Sequence, residues 1–379
     1  MMKYLLMLTL LTNICFAVTV SQEALPAKAV RLQAIYQQYR KAADSGDAEA
    51  QFNLGAMYYH GHGVIRSDRD ALKWFTKAAE QGLAKAQFNL GLMYQGGIGI
   101  KPDNKAAAQW YQKAAEQGMA KAQYNLGGMY LYGLGVAQSD EQAVEWFEKA
   151  AKQGLAQAQN TLGTIYLAGS GVKQDSAKAE FWLRKAALQG DARAQLHLGE
   201  MYRKGEGVTQ SGKEAVKWYR RAAEQGIAEA QRRTAVSYLV GEGVVQNNTL
   251  AVSWYKKAAE RGDVEAQGML GFIYDVGLGI PENNKQAVTW YRKAAAQGQF
   301  TSQYNLGEKY GKGEGVSKDN ILAYMWMFIA KHNSQSEPDH LESVNLFLAQ
   351  LKAIMTQEQI ARAKAKARVC LESDYAHCD

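Results

Sequence analysis

Apolar positions along this chain recur in two helix-length runs every 36 residues. The stretch from Leu83 to Gly118, LAKAQFNLGLMYQGGIGIKPDNKAAAQWYQKAAEQG, shows both runs. The first places Ala86, Leu90, Met93 and Tyr94 at i, i+4, i+7 and i+8, one apolar stripe along a helix. A Gly-x-Gly turn at Gly97 and Gly99 separates it from the second run, which gathers Ala107, Trp110, Tyr111, Ala114 and Ala115 on one face. That run stops at Gln117-Gly118, where glycine supplies the left-handed residue that commonly follows a helix end.

The pattern repeats without insertion or deletion. Steps of 36 residues from Gly82 reach Gly46, Gly118, Gly154, Gly190, Gly226, Gly262 and Gly298. The same step links Trp74, Trp110, Trp146, Trp182, Trp218, Trp254, Trp290 and Trp326, and also Tyr58, Tyr94, Tyr130, Tyr166, Tyr202, Tyr238, Tyr274 and Tyr310. Second helices are expected to be capped at Asp68, Asn104, Asp140, Ser176, Gly212, Asn248, Asn284 and Asn320, all residue types that suit a helix N-terminus. Pro26, Pro102, Pro281 and Pro338 all fall outside the proposed helix interiors. The expectation is eight helix–turn–helix units that bury their apolar faces by stacking.

The kernel A-x-A-Q-x-x-L-G-x-x-Y, then G-x-G-V, then A-x-x-W-Y/F-x-K-A-A-x-Q-G resembles the Sel-1-like repeat family, relatives of the tetratricopeptide repeats. The resemblance covers residues 47 to 330. It implies an all-α, right-handed α-solenoid and a role as a non-enzymatic adaptor for other proteins. Bacterial members include periplasmic and secreted proteins connected with envelope processes and host interaction, and some relatives have been connected with β-lactam binding.

Composition changes this picture at the two ends. Residues 1–17 read as a secretory signal peptide: Lys3 is the charged region, Tyr4 to Leu11 the apolar core, and Cys15-Phe16-Ala17 the cleavage site. The apolar run is far below the ~20 residues needed to span a bilayer, and no later segment reads as a span. A periplasmic or secreted protein is therefore expected. Loss of Cys15 with the leader leaves Cys370 and Cys378, an even count in an oxidising compartment, and a disulfide between them is expected. The net charge of +7 is modest and scattered through the helices; with no nucleic-acid module in the sequence, nucleic acid is not an expected partner.

Residues 18–46 contain a helix from Pro26 to Ala43 that resembles a lone second helix, with Gln38 where tryptophan would stand. It is expected to cap the first repeat. Residues 331–379 are expected to form a helical cap at the other end, with Thr356 and Gln359 as a capping box. Repeats five and six drift: His197 and Arg233 replace asparagine, Arg232 replaces an aromatic residue, and Thr234-Ala235 replaces Leu-Gly.

Candidate chemistry is sparse. Eight copies of the Gly-x-Gly turn between helices indicate turn geometry rather than phosphate cradles. The tryptophan and tyrosine columns read as core. His60 and His62 lack a second pair of ligands and read as solvated. Ser170–Lys173 and Ser253–Lys256 match Ser-x-x-Lys, yet no Ser-Asp-Asn or Lys-Thr-Gly accompanies them. No cofactor or metal is expected, and a monomer is.

What remains is the surface that first helices present in tetratricopeptide-type stacking, their concave face. Positions i, i+3, i+7 and i+10 share one side, giving Arg193, Leu196, Glu200 and Arg203 in repeat five and Glu229, Arg232, Val236 and Leu239 in repeat six. In early repeats the same columns hold Phe52, Tyr59, Phe88, Leu92, Tyr124 and Leu131. The expected partner site is thus a groove, aromatic at Phe52, Phe88 and Tyr124 and charged at Arg193, His197, Glu200, Arg203, Arg232 and Arg233. It would hold a protein or peptide. A cell-wall module engaging peptidoglycan, or an enzyme that processes it, is the next reading; a hydrolase or β-lactam-binding enzyme is the third.

Overall fold

The computed structural model describes residues 25–333 and 341–378. The expected signal peptide and residues 334–340 of the expected C-terminal cap lie outside these residues. Every element described is a helix. A leading helix, α1 (Leu25–Asp44), is followed by eight pairs. The first helices are α2 (Ala48–His60), α4 (Ala84–Gly96), α6 (Ala120–Tyr132), α8 (Ala156–Ala168), α10 (Ala192–Lys204), α12 (Ala228–Val240), α14 (Val264–Val276) and α16 (Phe300–Lys312). The second helices are α3 (Asp68–Glu80), α5 (Asn104–Glu116), α7 (Asp140–Lys152), α9 (Ser176–Leu188), α11 (Gly212–Glu224), α13 (Asn248–Glu260), α15 (Asn284–Ala295) and α17 (Asn320–Asn333). The tail adds α18 (Leu341–Ile354) and α19 (Gln357–Glu372). The architecture is an all-α solenoid. It divides into two compact units, one ending at Asp191 and one beginning at Ala192, and each is built by the same local rules.

Helix boundaries follow from backbone chemistry. The N-caps of second helices lie one residue before the expected column, at Ser67, Asp103, Ser139, Asp175, Ser211, Asn247 and Asn283. Their side-chain oxygens accept from the third residue of the helix, as Asp103 Oδ1 does from Ala106 N at 3.0 Å. The expected caps Asp68 to Asn320 are instead the first helical residues. The correction has a simple cause: both columns hold cap-type residues, and the cap is the one whose backbone is extended, as at Asp103 (φ −146°, ψ 99°). The same residue closes the Gly-x-Gly turn, its N–H donating to the tyrosine carbonyl of the first helix, Asp103 N to Tyr94 O at 2.9 Å. At the other end Gly118 N donates to Ala115 O and Met119 N to Ala114 O, the paired bonds of a Schellman stop around Gly118 at φ +86°.

Two glycine columns control how closely helices approach. The second turn glycine lies on the start of the preceding repeat's second helix: a Cβ on Gly99 would come 2.5 Å from Asp68 O. Within each repeat but the sixth, where Ala235 stands in its place, the helical glycine of the Leu-Gly pair lies against the side chain that follows the tryptophan on the partner helix. A Cβ on Gly91 would lie 2.6 Å from Tyr111 Cδ1. The residue after the tryptophan is therefore the deepest position of the second helix, and Tyr111, Phe147, Tyr219, Tyr255 and Tyr291 there are fully enclosed. Of the columns expected to be core, the tryptophans are buried at 74, 182, 218, 290 and 326 but half-buried at Trp110, Trp146 and Trp254, and the tyrosines are buried only at Tyr166 and Tyr310. Position 110 is about 100° round the helix from 111, so it falls at the edge of the stripe. There the ring is roofed by the lysine three residues on; Lys113 Nζ lies 4.0 Å from the Trp110 ring centre.

Within each unit a buried polar ladder joins consecutive repeats. The glutamine of A-x-A-Q donates to an alanine carbonyl near the end of the preceding second helix, as Gln87 Nε2 does to Ala79 O at 3.2 Å. Its own oxygen accepts from the glutamine that ends its own repeat's second helix, Gln117 Nε2 to Gln87 Oε1 at 2.7 Å. The same rung appears as Gln81–Gln51, Gln153–Gln123, Gln189–Gln159, Gln225–Gln195, Gln297–Gln267 and Asn333–Gln303. Each rung satisfies a carboxamide that would otherwise be buried without partners.

The ends reuse these devices. Helix α1 packs Tyr36, Tyr39, Ala42 and Ala43 against Ala50, Leu54 and Trp74, and Ala43 O accepts from Gln51 Nε2 at 3.1 Å. Gly63 lies on Leu32 as Gly99 lies on Asp68. This helix thus occupies the place of a missing second helix. In the tail, Val344, Leu348, Leu351, Ile360, Ala363 and Ala367 join a core with Tyr324, Met325, Met327 and Ile329 of α17. Thr356 and Gln359 form a reciprocal capping box at the start of α19. Cys370 and Cys378 are bonded as a disulfide with their Cα atoms 4.5 Å apart.

Candidate functional site

The outward stripe of the first helices runs through their second, sixth, ninth and thirteenth residues, one step round from the side read in the sequence, except that the sixth is buried as Asn125 in α6 and Thr161 in α8. The column shared by Phe52, Phe88, Tyr124, Leu196 and Arg232 turns inward. Phe52 and Phe88 are 3% and 8% exposed, with ring centres 5.4 Å from Phe75 and 5.8 Å from Tyr111. Tyr124 is half-buried against Phe147 at 5.5 Å, its hydroxyl 3.5 Å from Thr161 Oγ1. The expected aromatic half of a groove is therefore interior packing of the early repeats. The cause is geometric: the aromatic meets the second-helix ring that the glycine column admits.

The charged residues of repeats five and six are brought together, but as pairs with one another. Arg203 Nη2 donates to Glu200 Oε2 at 2.8 Å, and Tyr219 OH donates to Glu200 Oε1 at 2.8 Å. Arg233 Nε lies 2.8 Å from Glu200 Oε1, close enough for an ion pair though not aligned as a hydrogen bond. Glu229 joins through Arg233 at 3.4 Å. Arg232, at the inward column, donates through Nε to Asp263, whose other oxygen caps α14 by accepting from Ala266 N at 2.8 Å. Arg232 thus ties repeat six to the start of repeat seven. Burial of Glu200 would raise its carboxyl pKa, but the bonds from Arg203 and Tyr219 and the charge of Arg233 outweigh it and hold the group below the usual carboxylate range. Arg193 and His197 are half-buried on the same outward stripe.

Three arginines facing three carboxylates leave no net charge in this network, so it offers a fixed polar pattern rather than a field for acidic ligands. Beside it lies a feature the sequence reading passed over. On the outward stripes of α12 and α14, Val240, Phe272 and Val276 are 61%, 42% and 53% exposed. Val236 and Met269 continue the stripes, half-buried. The Glu308–Lys312 pair of α16 bounds the patch on the other side. The signal was present: the column occupied by Ala56, Leu92, Gly128 and Thr164 becomes phenylalanine at 272, a large apolar side chain where the helix faces water.

The other candidates are surface features. Ser170 and Lys173 are exposed in the turn after α8, and Ser253 and Lys256 are exposed on α13. The rings of His60 and His62 stack at 5.3 Å, and burial, followed by the neighbouring His62 and Arg66, lowers the His60 pKa. No helix among the described residues is long and apolar enough to cross a membrane.

A chain of stacked helix pairs joined by carboxamide rungs around apolar cores is a repeat scaffold of the protein-interaction type. The Sel1 repeat profile matches eight successive segments, residues 48–83, 84–119, 120–155, 156–191, 192–227, 228–263, 264–299 and 301–332. The chain belongs to the Sel1 repeat family. Among solved structures it is similar to a Sel1 repeat protein from Oxalobacter formigenes, with 31% identity over 91% of this chain and 99% of that one at a TM-score of 0.64. It is also similar to a protective antigen of uropathogenic Escherichia coli strains that displays an SLR fold, with 31% identity over 92% and 93% at a TM-score of 0.49. No curated protein matches the chain.

Proposed function

We propose that the protein is an exported, non-enzymatic adaptor that holds a protein or peptide partner on the first-helix face of repeats six and seven. The exposed cluster of Val240, Phe272 and Val276 carries this reading. Large apolar side chains grouped on adjacent stripes and bordered by paired charges have the make-up of an interface centre with a polar rim. Phe272 and Val276 sit one helical turn apart, so a partner's apolar side chain can seat against both. The bordering network of Glu200, Arg203, Arg233 and Glu229 sets orientation, because its members are already held by one another. Export, to a bacterial periplasm or beyond, is supported by the leader-like composition of residues 1–17.

The test is capture from native envelope extract by cross-linking, using the chain from residue 18 and a Phe272→Asp/Val276→Asp variant. Both substitutions are at exposed positions, so circular dichroism of the variant should match the unaltered chain. A partner captured by the unaltered chain and lost from the variant is the expected result. Equal capture by both, or no protein captured by either, would overturn the assignment.

A further inference from the structure

One rung of the carboxamide ladder is missing. At the position of Gln81, Gln117, Gln153, Gln189, Gln225 and Gln297, repeat six carries Arg261. Gln231 still donates through Nε2 to Ala223 O at 3.1 Å, but its Oε1 is buried with no hydrogen-bond partner. The residue is 3% exposed. Arg261 has swung away over Gly226, where a Cβ would lie 2.9 Å from its Cζ, and its side chain makes no hydrogen bond or ion pair among the described residues. A cavity of about 530 Å³ occupies the vacated place, with Gln231 and Gly226 in its lining and the half-buried Trp254 as a wall.

The intact rungs show what the cavity would hold. In repeat two the terminal carboxamide donates to two acceptors at once, Gln87 Oε1 at 2.7 Å and Gly82 O at 2.9 Å. Their counterparts here are Gln231 Oε1 and the carbonyl of Gly226, and both remain. We propose that this cavity binds a primary carboxamide supplied from outside the chain, as a glutamine or asparagine side chain or as a free amide. The NH2 group donates to Gln231 Oε1 and Gly226 O, and its carbonyl accepts from the Arg261 guanidinium. A carboxylate has no proton for Gln231 Oε1, and an ammonium or guanidinium has no acceptor for the Arg261 guanidinium. Glu224 and Glu260 balance Arg261 and Lys257, so the lining favours a neutral ligand. Unmade bonds to a buried acceptor are what give such sites their discrimination.

Borne on a peptide, the carboxamide deepens the adaptor reading and rests on it; the binding measurement itself requires no partner protein. The purified chain would be titrated with N-acetylglutamine methylamide, N-acetylglutamate methylamide and free L-glutamine, with saturation-transfer NMR as readout. Blocked glutamine should bind with a dissociation constant of about 1 mM and blocked glutamate about tenfold more weakly or worse. Arg261→Gln restores the missing rung inside the chain, so this variant should unfold at a higher denaturant concentration and lose the amide signal. Arg261→Ala should keep the cavity and bind a few-fold more weakly. Binding of free glutamine as tight as the blocked form would assign a soluble amide as ligand, and binding of the blocked form alone would assign a peptide side chain. Equal binding of glutamate, unchanged binding by Arg261→Gln, or no saturation by either amide would overturn the proposal. Those outcomes are independent of the capture experiment at Phe272.

Discussion

Helix α6 contains two adjacent glycines that face opposite environments, and together they isolate the steric rule behind the fold. Gly127 belongs to the Leu-Gly column; a Cβ there would lie 2.9 Å from both Phe147 Cδ1 and Cε1 and 3.2 Å from the carbonyl oxygen of Ala143. Gly128 has nothing within 4 Å of the same construction. Replacing either with alanine gains about 1 kcal/mol from reduced chain entropy in a helix. At Gly128 that gain stands alone, so Gly128→Ala should stabilise by about 0.5–1 kcal/mol. At Gly127 the methyl group must displace a fully enclosed ring and press on a backbone oxygen, an overpacking cost of about 1–3 kcal/mol. Gly127→Ala should therefore be neutral to destabilising by about 2 kcal/mol, and the two variants should differ by about 1–3 kcal/mol. Urea unfolding followed by far-UV circular dichroism, with both variants in the full-length chain, reads this difference as a shift in midpoint. Equal midpoints would refute the claim that glycine is needed at position 127 to seat the Phe147 ring.

Two further outcomes follow from the charged groups. Glu200 has a folded-state pKa below the usual carboxylate value, so its contribution is present above the unfolded-state pKa and lost as acid titrates the folded group; Glu200→Gln should flatten that part of the acid dependence of stability, measured as denaturation midpoint against pH. Lys309 stands in a column that elsewhere holds Met57, Met93, Met129 and Ile165, and its Nζ meets Asp275, Glu314 at 2.8 Å and Asn284 Oδ1 at 2.7 Å. Lys309→Met should cost about 1–2 kcal/mol, less than for a fully buried pair because Asp275 and Glu314 reach solvent, and adding Asp275→Leu should recover most of it in the same denaturation assay.

Much of this molecule was legible without coordinates because its rules are short-range. The 36-residue step, the paired helices, the glycine stops and the capping box at Thr356 all depend on residues within one or two turns of each other. Even the caps were missed by one residue alone, because two neighbouring columns carry the same residue types and backbone conformation chooses between them. The Sel1 kernel then determines the family and the solenoid class.

The site depended on longer-range packing. A helical wheel cannot tell which edge of a broad apolar stripe meets a neighbour and which meets water when each helix is flanked by others on several sides. Phe52 and Phe88 went inward because Phe75 and Tyr111 sit across from them over a glycine, while Phe272 stayed outward one step round the helix. Arg232 looked like a free cation until Asp263 of the next repeat came within reach. The vacancy at Arg261 is a single substitution in sequence, and it means something only once a glutamine 30 residues away is seen to need its partner. Periodicity by itself determined how the chain folds; three-body packing between successive helices decided which side chains it leaves unsatisfied, since hydrogen-bond demand is a property of the buried neighbourhood and not of the residue.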